Sequence, residues 1–295
     1  MIMKDRLAQL DAQLYHTPDV LLEDLRRLPG DIMLLGAGGK MGPSLARLAR
    51  LAADRAGLEK RIIAVSRFSD REQMRRLNDF GVETIAADLL DERQLAALPK
   101  VENILYLVGH KFGTAGNAGL TWTLNAYLPG RVAATFPEAR IVAFSTGNVY
   151  PFVPVDSGGA TEADSPDPVG EYAQSCLGRE RLFEYFSRKN GTPVLLYRLN
   201  YAIDLRYGVL MDIARAVAAG RPVDVTMGYV NIIWQGDANQ IALRALHHAA
   251  APPRRLNVTG PETLSVRDLA RRFGELLNRD PILIGQEAPT ALLSN

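Results

Sequence analysis

Short apolar runs alternate with longer amphipathic stretches from residue 31 to about residue 200. The runs are mainly apolar and rich in β-forming residues, and they occupy residues 32–35, 62–65, 82–86, 104–108, 141–144 and 194–199. Mainly apolar runs of this length are typical of strands buried on both faces. Between them, apolar residues repeat at helical spacing over residues 41–56, 71–80, 120–134 and 172–187. The pattern predicts βαβ units, and therefore an α/β fold with a doubly wound parallel sheet.

Residues 1–30 precede this pattern and predict a helical extension. Thr17, Pro18 and Asp19 stand before an apolar series formed by Val20, Leu21, Leu22 and Leu25. We expect Thr17 to cap the helix N-terminus and Pro18 to occupy its first position.

The pattern changes beyond residue 150. Prolines and glycines interrupt residues 151–168, and a long loop inside a compact domain is usually functional. After about residue 200, spacing predicts helices at 208–219, 236–249 and 265–277 and a short strand at 255–258. We expect a smaller C-terminal lobe packed over the C-terminal edge of the sheet. The predicted division is an extension over 1–30, a sheet domain over 31–198 plus about 229–250, and a lobe over about 199–228 plus 251–295.

Composition narrows the class of protein. The 295 residues carry a net charge of +1, which gives no electrostatic reason to expect nucleic acid or a membrane surface as partner. The single cysteine, Cys176, excludes an intramolecular disulfide and suits a reducing compartment. No apolar stretch has the length of a membrane span, and no signal-peptide pattern opens the chain. We expect a cytoplasmic protein, and no His, Cys or Asp spacing predicts a metal site.

A glycine-rich segment follows the first predicted strand directly. It consists of Gly36, Ala37, Gly38, Gly39, Lys40, Met41 and Gly42, and helical periodicity follows. The first glycine permits a tight turn, the second a close approach of pyrophosphate to the backbone, and the third close helix packing. The helix N-terminus then offers N–H groups to phosphate. Glycine turns also arise for structural reasons alone, but a strand before and a helix after favour a dinucleotide site.

The ends of the next strands suggest which dinucleotide binds. The second strand ends in Ser66-Arg67, with no carboxylate to accept from two ribose hydroxyls. A hydroxyl and a guanidinium suit a 2′-phosphate, which favours NADP over NAD; the alternative is that Arg67 is only a solvated loop cation. Asp88-Leu89 follows the third strand and is open to two interpretations, an adenine contact or a helix cap for residues 91–98. Val108 ends the fourth strand and completes the predicted cofactor contacts.

Together these features resemble the extended short-chain dehydrogenase/reductase family of the NAD-dependent epimerase/dehydratase type. The segments that carry the resemblance are the glycine turn, Asp88-Leu89, residues 144–150 (FSTGNVY), residues 172–176 (YAQSC), residues 198–200 (RLN), and residues 257–260 (NVTG) with 264–266 (LSV). The resemblance implies a seven-stranded Rossmann sheet, a C-terminal substrate lobe, and hydride transfer at a nicotinamide on a substrate that is often a nucleotide sugar.

The resemblance also implies roles for individual residues. Tyr172 matches the family's catalytic tyrosine, and Thr146 matches its catalytic serine or threonine, although a hydroxyl at a strand end often bonds only the local backbone. Asn200 matches a position that often touches substrate. Ser145 and Asn148 are further substrate candidates. Arg206, in the predicted lobe, has two open interpretations, an anion contact or a surface role.

One departure from the family pattern matters most. The family has Tyr-x-x-x-Lys, whereas this chain has Tyr172-x-x-x-Cys176. A cation about 4 Å from the phenol is worth roughly 4 kcal/mol at an effective dielectric near 20, or about three pKa units. Cys176 supplies no such charge, and we interpret it as a buried inert thiol. Lys111, after the fourth strand, is a candidate replacement or a solvated loop cation. His110 beside it is a residue type that carries protons near neutral pH, but nothing in the sequence positions it.

Two classes of function remain. The first is an NADP-dependent epimerase, dehydratase or reductase acting on a hydroxyl- or keto-bearing, sugar-like substrate, with Tyr172, Thr146 and Lys111 as catalytic residues. The second is an NADP-binding sensor or scaffold with weak or no catalysis, which the missing lysine favours. Either is compatible with a homodimer that packs through the helices at 120–134 and 172–187.

Overall fold

The computed structural model of this chain describes residues 9–111 and 116–295. The strands in chain order are β1 (Ile32–Leu35), β2 (Ile62–Ser66), β3 (Glu83–Ala86), β4 (Asn103–Tyr106), β5 (Arg140–Thr146), β6 (Val153–Pro154), β7 (Val194–Leu199), β8 (Ala202–Ile203), β9 (Val223–Asp224), β10 (Tyr229–Val230), β11 (Ile233–Trp234), β12 (Arg254–Val258), β13 (Leu264–Ser265), β14 (Leu283–Ile284) and β15 (Thr290–Ala291). The α-helices are α1 (9–14), α2 (Asp19–Arg27), α3 (Gly42–Arg55), α4 (Arg71–Asp79), α5 (Glu92–Ala96), α6 (Ala118–Trp122), α7 (Leu128–Thr135), α8 (Gly170–Asn190), α9 (Val209–Ala218), α10 (Gln235–Arg244) and α11 (Val266–Leu277).

Seven strands form the central sheet, in the order β12-β7-β5-β4-β1-β2-β3. Pairing is parallel from β3 through β2, β1 and β4 to β5. Every residue of β1 and β4 is buried, as expected for parallel strands covered on both faces. The predicted doubly wound α/β sheet is therefore confirmed. Strand order reverses between β1 and β4, and such switch points open a crevice at the carboxyl ends of the strands.

The chain divides into two compact units. Unit 1 contains residues 1–145, 170–197 and 239–256, and unit 2 contains residues 146–169, 198–238 and 257–295. The apolar core of unit 1 lies around the sheet and includes Met33, Ile63, Tyr106 and Phe183. Unit 2 has its own smaller core around α9 and α11, with Ile213, Val217 and Ala270 among its buried members.

Unit 2 is held by short strand pairs that the apolar pattern does not predict. β6 lies inside the proline-rich stretch 151–168 and pairs antiparallel with β15, so backbone hydrogen bonds tie this loop to the last residues of the chain. The strand expected at 255–258 is β12, and it extends the main sheet next to β7. Two-residue strands have no readable periodicity, since their pairing is decided by residues distant in sequence.

Two predicted helix caps are wrong. α2 begins at Asp19 with Pro18 in the capping position and no side-chain cap, while the Thr17 hydroxyl accepts a hydrogen bond from Arg55 instead. The N-terminus of α5 is capped by Asp91, whose Oδ1 accepts from the backbone N–H groups of Arg93 and Gln94 at 2.9 and 3.0 Å. Asp88 therefore does not cap this helix.

The helix predicted over residues 120–134 consists of three segments. Between α6 and α7 the residues Thr123–Tyr127 form a π-helical turn. Pro129 lies in the first turn of α7 and has no N–H to donate to the carbonyl of Asn125, four residues earlier. Arg179 Nε, from α8, donates to that carbonyl at 3.3 Å. A side chain thus satisfies the backbone group that proline releases.

Candidate functional site

A cleft of about 600 Å³ lies in unit 1, where β1, β2 and β4 end. Eight of the residues predicted to bind a cofactor line it: Gly36, Gly38, Gly39, Ser66, Arg67, Asp88, Leu89 and Val108. Lys40, Met41 and Gly42 complete the turn but do not line the cleft. The lining also includes residues that the sequence did not single out: Phe68, Asp70, Gln73, Leu120, Leu124 and Leu128, among others.

Two glycines of the turn have steric reasons to be glycine. Gly36 has φ +90°, and a Cβ there would lie 2.8 Å from the backbone nitrogen of Val108. A Cβ on Gly42 would lie 2.5 Å from Cα of Ala37, so the first residue of α3 packs directly on the turn. The backbone N–H groups of Gly36 and Ala37 both donate to the Val65 carbonyl, at 2.9 and 3.0 Å. The turn is thereby tied to β2 on one side and fits against Val108 on the other.

Gly39 is different, because no contact within residues 9–111 and 116–295 requires it to lack a side chain. Among these residues, a Cβ there would meet the Gly36 carbonyl oxygen alone, at 3.6 Å. Gly39 nevertheless lines the cleft beside the N-terminus of α3. Space left free in front of a helix N-terminus fits an anionic group such as pyrophosphate.

The ends of β2 and β3 form one side of the same cleft. Arg67 is exposed, and among residues 9–111 and 116–295 its guanidinium has no hydrogen-bond or ion-pair partner. Asp70 accepts from the N–H groups of Glu72 and Gln73 and so caps α4. Asp88 Oδ1 accepts from the N–H of Leu90 at 3.0 Å. Both carboxylates are thus held by backbone, whereas Arg67 remains available for a ligand anion.

Lys111 and Tyr172 come together in unit 1. Tyr172 lies in the first turn of α8, and Lys111 Nζ is 5.8 Å from the centre of its ring. The side chains of Tyr172 and Cys176 are hydrogen-bonded to each other. Burial of the Lys111 ammonium lowers its pKa, and the positive charge of Lys40 lowers this pKa further. A lysine from the loop after β4 therefore stands near the phenol of Tyr172, whose own helix has cysteine and not lysine four residues further on.

Cys176 is fully buried. Burial raises the pKa of its thiol, and the opposing influences of Arg179, Tyr172 and Lys111 are smaller. The sulfur is therefore protonated at neutral pH, and the interpretation as an inert thiol fits its surroundings.

A buried polar network that sequence reasoning missed supports the loop after β4. Asn125, in the π-helical turn, accepts from the backbone N–H of His110 at 2.7 Å and donates to the His110 carbonyl at 3.0 Å. It also donates to Ser175 Oγ and accepts from Arg179 Nη2, at 2.9 and 3.0 Å. Arg179 reaches on to the Phe144 carbonyl at the end of β5. The detectable signal was Asn125 itself, a polar residue at a core-facing position of an otherwise apolar stretch.

The four predicted substrate residues have different surroundings. Ser145 is buried in unit 1 and its hydroxyl donates to Glu180 Oε1 at 2.6 Å. In unit 2, Asn148 accepts from the Thr146 hydroxyl at 2.9 Å, and its N–H returns a bond of 3.2 Å to the same oxygen. Arg206 is exposed and forms an ion pair with Asp204. The Thr146 hydroxyl thus satisfies local groups, and the guanidinium of Arg206 already has a carboxylate partner.

Asn200 stands out among these residues. Its side chain is buried beside Gly147 in unit 2, and both of its amide atoms lack a hydrogen-bond partner among the described residues. Buried polar atoms are almost always paired, so such an amide indicates a missing partner. Nearby, the Tyr150 hydroxyl donates to Asn257 Oδ1 at 2.9 Å, which gives the 257–260 segment a structural task.

Within the described part of the chain, no helix is both long and apolar enough to cross a membrane. The same residues contain no group of three or more His, Cys, Asp or Glu side chains placed to hold a metal ion.

Comparison with solved structures shows the same fold. The chain is similar to a dTDP-glucose 4,6-dehydratase from Streptomyces venezuelae, with 17% identity, a TM-score of 0.75, and coverage of 90% of this chain and 87% of the other. It is similar to a UDP-glucose 4-epimerase from Thermus thermophilus, with 18% identity, a TM-score of 0.70, and coverage of 88% and 87%. A UDP-glucuronic acid 4-epimerase from Bacillus cereus shares 16% identity at a TM-score of 0.70, with coverage of 87% and 86%. All three structures contain NAD.

No curated protein sequence matches this chain. The model of the NAD dependent epimerase/dehydratase family, in contrast, matches residues 32–258. This match covers well over half of the sequence and confirms the resemblance carried by the glycine turn and the segments around Thr146 and Tyr172. The chain belongs to the NAD dependent epimerase/dehydratase family.

Proposed function

We propose that the protein is an NAD(P)-dependent enzyme that epimerises, dehydrates or reduces a hydroxyl- or keto-bearing sugar, in the form of a nucleotide sugar. The observation that carries this proposal is the cleft, which is lined by the glycine turn and the ends of β2, β3 and β4. The chain that forms it belongs to a family of NAD-dependent enzymes. The similar structures include a UDP-glucose 4-epimerase and a dTDP-glucose 4,6-dehydratase, each with NAD, which supports this class of substrate.

The preferred cofactor in this proposal is NADP. The open space at Gly39 suits the pyrophosphate, and Ser66 with Arg67 suits a ribose 2′-phosphate. Arg67 supports the choice because no carboxylate or carbonyl of the described residues engages its guanidinium. An NAD-preferring site would instead present a free carboxylate at this point.

NADP, when bound, supplies a hydride acceptor or donor. Tyr172 is proposed to hydrogen-bond the substrate oxygen, and Lys111 to supply part of the positive charge that the family's lysine would give. Thr146 is proposed as the second hydroxyl because of its matching position in the family. The proximity of a cation to the Tyr172 ring is the support for Lys111, since a neutral phenol alone is a weak base near neutral pH.

Substrate contacts are proposed for Ser145, Asn148, Asn200 and Arg206. Asn200 has the strongest support, because a buried amide without a partner offers one donor group and one acceptor to a ligand. Arg206 has the weakest, since Asp204 already neutralises it.

We also propose a homodimer and a cytoplasmic location. Leu120 and Trp122 on α6, Tyr127 next to α7 and Tyr185 on α8 are large apolar side chains that are exposed. They lie on the two helical segments expected to pack against a second copy, and burial in a dimer would remove them from water. The low cysteine count supports a reducing compartment.

The alternative is an NADP-binding protein with weak or no catalysis. Cys176 favours it, because a buried neutral thiol occupies the position where the family has a cation.

One experiment separates the two. NADPH and NADH are titrated by fluorescence, and UDP-glucose and dTDP-glucose are then assayed with wild type, Tyr172→Phe and Lys111→Ala. The matched control is Lys189→Ala, because Lys189 Nζ also lies 5.8 Å from a tyrosine ring, that of Tyr185. If the protein is an enzyme, turnover should fall in Tyr172→Phe and Lys111→Ala and stay unchanged in the control Lys189→Ala. Tight NADPH binding without turnover of any sugar nucleotide favours the sensor, and turnover unaffected by Tyr172→Phe contradicts the catalytic assignment.

A further inference from the structure

His110 is held in place by two independent sets of contacts. Its backbone N–H and carbonyl both bond the side-chain amide of Asn125, at 2.7 and 3.0 Å. Its ring Nδ1 lies 3.1 Å from the hydroxyl oxygen of Thr121 in α6. Neither backbone nor ring is free to turn, so the second ring nitrogen has a defined direction.

The bonds of Thr121 favour one position of the ring proton. The fully buried Thr121 hydroxyl has one hydrogen, and it lies within hydrogen-bond distance of the Asn117 carbonyl, at 3.0 Å. With that hydrogen on Asn117, the same oxygen accepts from His110 Nδ1–H at 3.1 Å. In an imidazole with a single N–H, Nε2 then carries the lone pair.

The ring is part of the lining of the cleft. His110 is half-buried and lines it together with the glycine turn, and Lys111, the next residue, reaches the Tyr172 ring. Among residues 9–111 and 116–295, Nε2 has no hydrogen-bond partner. The Tyr172 hydroxyl is hydrogen-bonded to Cys176, whereas Nε2 of His110 is an acceptor position that no described residue uses.

We propose that His110 is the base of this cleft: Nε2 accepts the proton of the substrate hydroxyl, and Thr121 and Asn125 are its positioning residues. The proposal rests on the proposed function. When the substrate alcohol is oxidised, hydride leaves its carbon for the cofactor, the O–H bond breaks, a carbonyl forms, and the proton moves to Nε2. The imidazolium keeps its Nδ1–H on Thr121 and returns the Nε2 proton when hydride returns. Tyr172 then serves as a hydrogen-bonding group to the substrate oxygen.

The first test is spectroscopic and needs no substrate. Protein labelled with 15N in its four histidines is examined by long-range 1H–15N correlation, and His110 is identified by its loss in His110→Asn. The proposal expects the proton on Nδ1 in wild type and a mixture of tautomers in Thr121→Val. A proton on Nε2 in wild type would overturn it. Addition of NADPH together with UDP-glucose or dTDP-glucose should shift the Nε2 resonance, and an unchanged resonance with every probe also overturns it.

The second test uses turnover. Asn at position 110 keeps an amide donor near the place of Nδ1 but has nothing at the place of Nε2, so His110→Asn should lower kcat by about 100-fold while NADPH binding stays unchanged. Added imidazole should restore part of the rate, which a structural defect would not allow. Equal kcat in wild type and His110→Asn contradicts the proposal. If wild type binds neither NADPH nor NADH, the proposed function fails, and the role of His110 fails with it. If NADPH binds while the Nε2 resonance and the kcat of His110→Asn stay unchanged, the role of His110 alone is overturned.

Discussion

The glycine turn and the N-terminal part of α8 serve the same proposed reaction, but they differ in how far they carry the residues that the family pattern predicts. In the turn, each residue that the fold requires is present: Gly36 has φ +90° and leaves no room for a Cβ beside Val108, and Gly42 leaves none beside Ala37. In α8 a buried cysteine, Cys176, stands four residues after Tyr172, where the family resemblance leads us to expect a lysine. The difference teaches that steric demands on a cofactor turn have almost no substitutes, whereas a positive charge can come from another element.

The surroundings of α8 support that interpretation. Lys111 approaches the Tyr172 ring from the loop after β4, and the Asn125 amide holds that loop by its His110 backbone. A charge acts through space and is indifferent to the element that carries it. A glycine in a left-handed turn has no such freedom, because the constraint is on its own backbone.

The largest expected effect comes from a test of whether two glycines of the turn have different roles, Gly36 in stability and Gly39 in cofactor binding. Gly36→Ala should lower the free energy of unfolding by about 3 kcal/mol, because its Cβ would meet Val108 at a strained φ. Gly39→Ala should leave the unfolding free energy almost unchanged, since its Cβ meets nothing closer than 3.6 Å, but it should weaken NADPH binding. Urea unfolding and fluorescence titration of both variants check this. Equal stability losses in the two variants would show that the turn does not divide its roles in this way.

The next effect concerns the support of the loop after β4. Asn125→Ala removes four side-chain hydrogen bonds and leaves the buried groups of Arg179 and Ser175 short of a partner. We expect a loss of about 2–3 kcal/mol in unfolding free energy, and about 1 kcal/mol for the matched Ser175→Ala, which removes one of these bonds. Hydrogen exchange of the His110 amide should accelerate in Asn125→Ala and much less in Ser175→Ala. Rapid exchange of the His110 amide in wild type would contradict the role of Asn125 in holding the His110 backbone.

A smaller effect tests the cofactor side of the comparison. Arg67→Ala should weaken NADPH binding by about tenfold and leave NADH binding unchanged, because only NADPH carries the 2′-phosphate. Arg71→Ala, an exposed arginine at the start of α4, is the control. If wild type binds NADH more tightly than NADPH, the 2′-phosphate interpretation of Ser66-Arg67 is wrong.

The smallest effect follows from the thiol. Burial raises the pKa of Cys176 above its ordinary value of 9.0, so above that pH the unfolded chain releases this proton more readily than the folded one. The stability contribution is complete below about pH 9 and is lost as pH rises further, by up to about 1.4 kcal/mol per pH unit. The difference in unfolding free energy between wild type and Cys176→Ala should therefore shrink above pH 9. A pH-independent difference would place the thiol in contact with water.

Much of the sheet was predictable, and the exceptions have identifiable causes. β1 and β7 have the predicted bounds, because short, mainly apolar runs between breakers leave no room for a helical period. The helix at 120–134 was predicted as one segment, since periodicity does not reveal that Pro129 would release a carbonyl and that Arg179 would bind it. The β6–β15 pair was not predicted, because its partners are far apart in the chain.

The sequence by itself determined the buried strands, the glycine turn, the family and the absence of lysine at position 176, because each of these depends on residues close together in the chain. Only tertiary structure decided that Lys111 lies near Tyr172, that Asn125 holds the His110 backbone, and that Thr121 orients the His110 ring. The physical reason is range. Backbone preferences and apolar periodicity act over a few neighbouring residues, whereas hydrogen bonds and charges in a cleft join residues that only the folded sheet brings together.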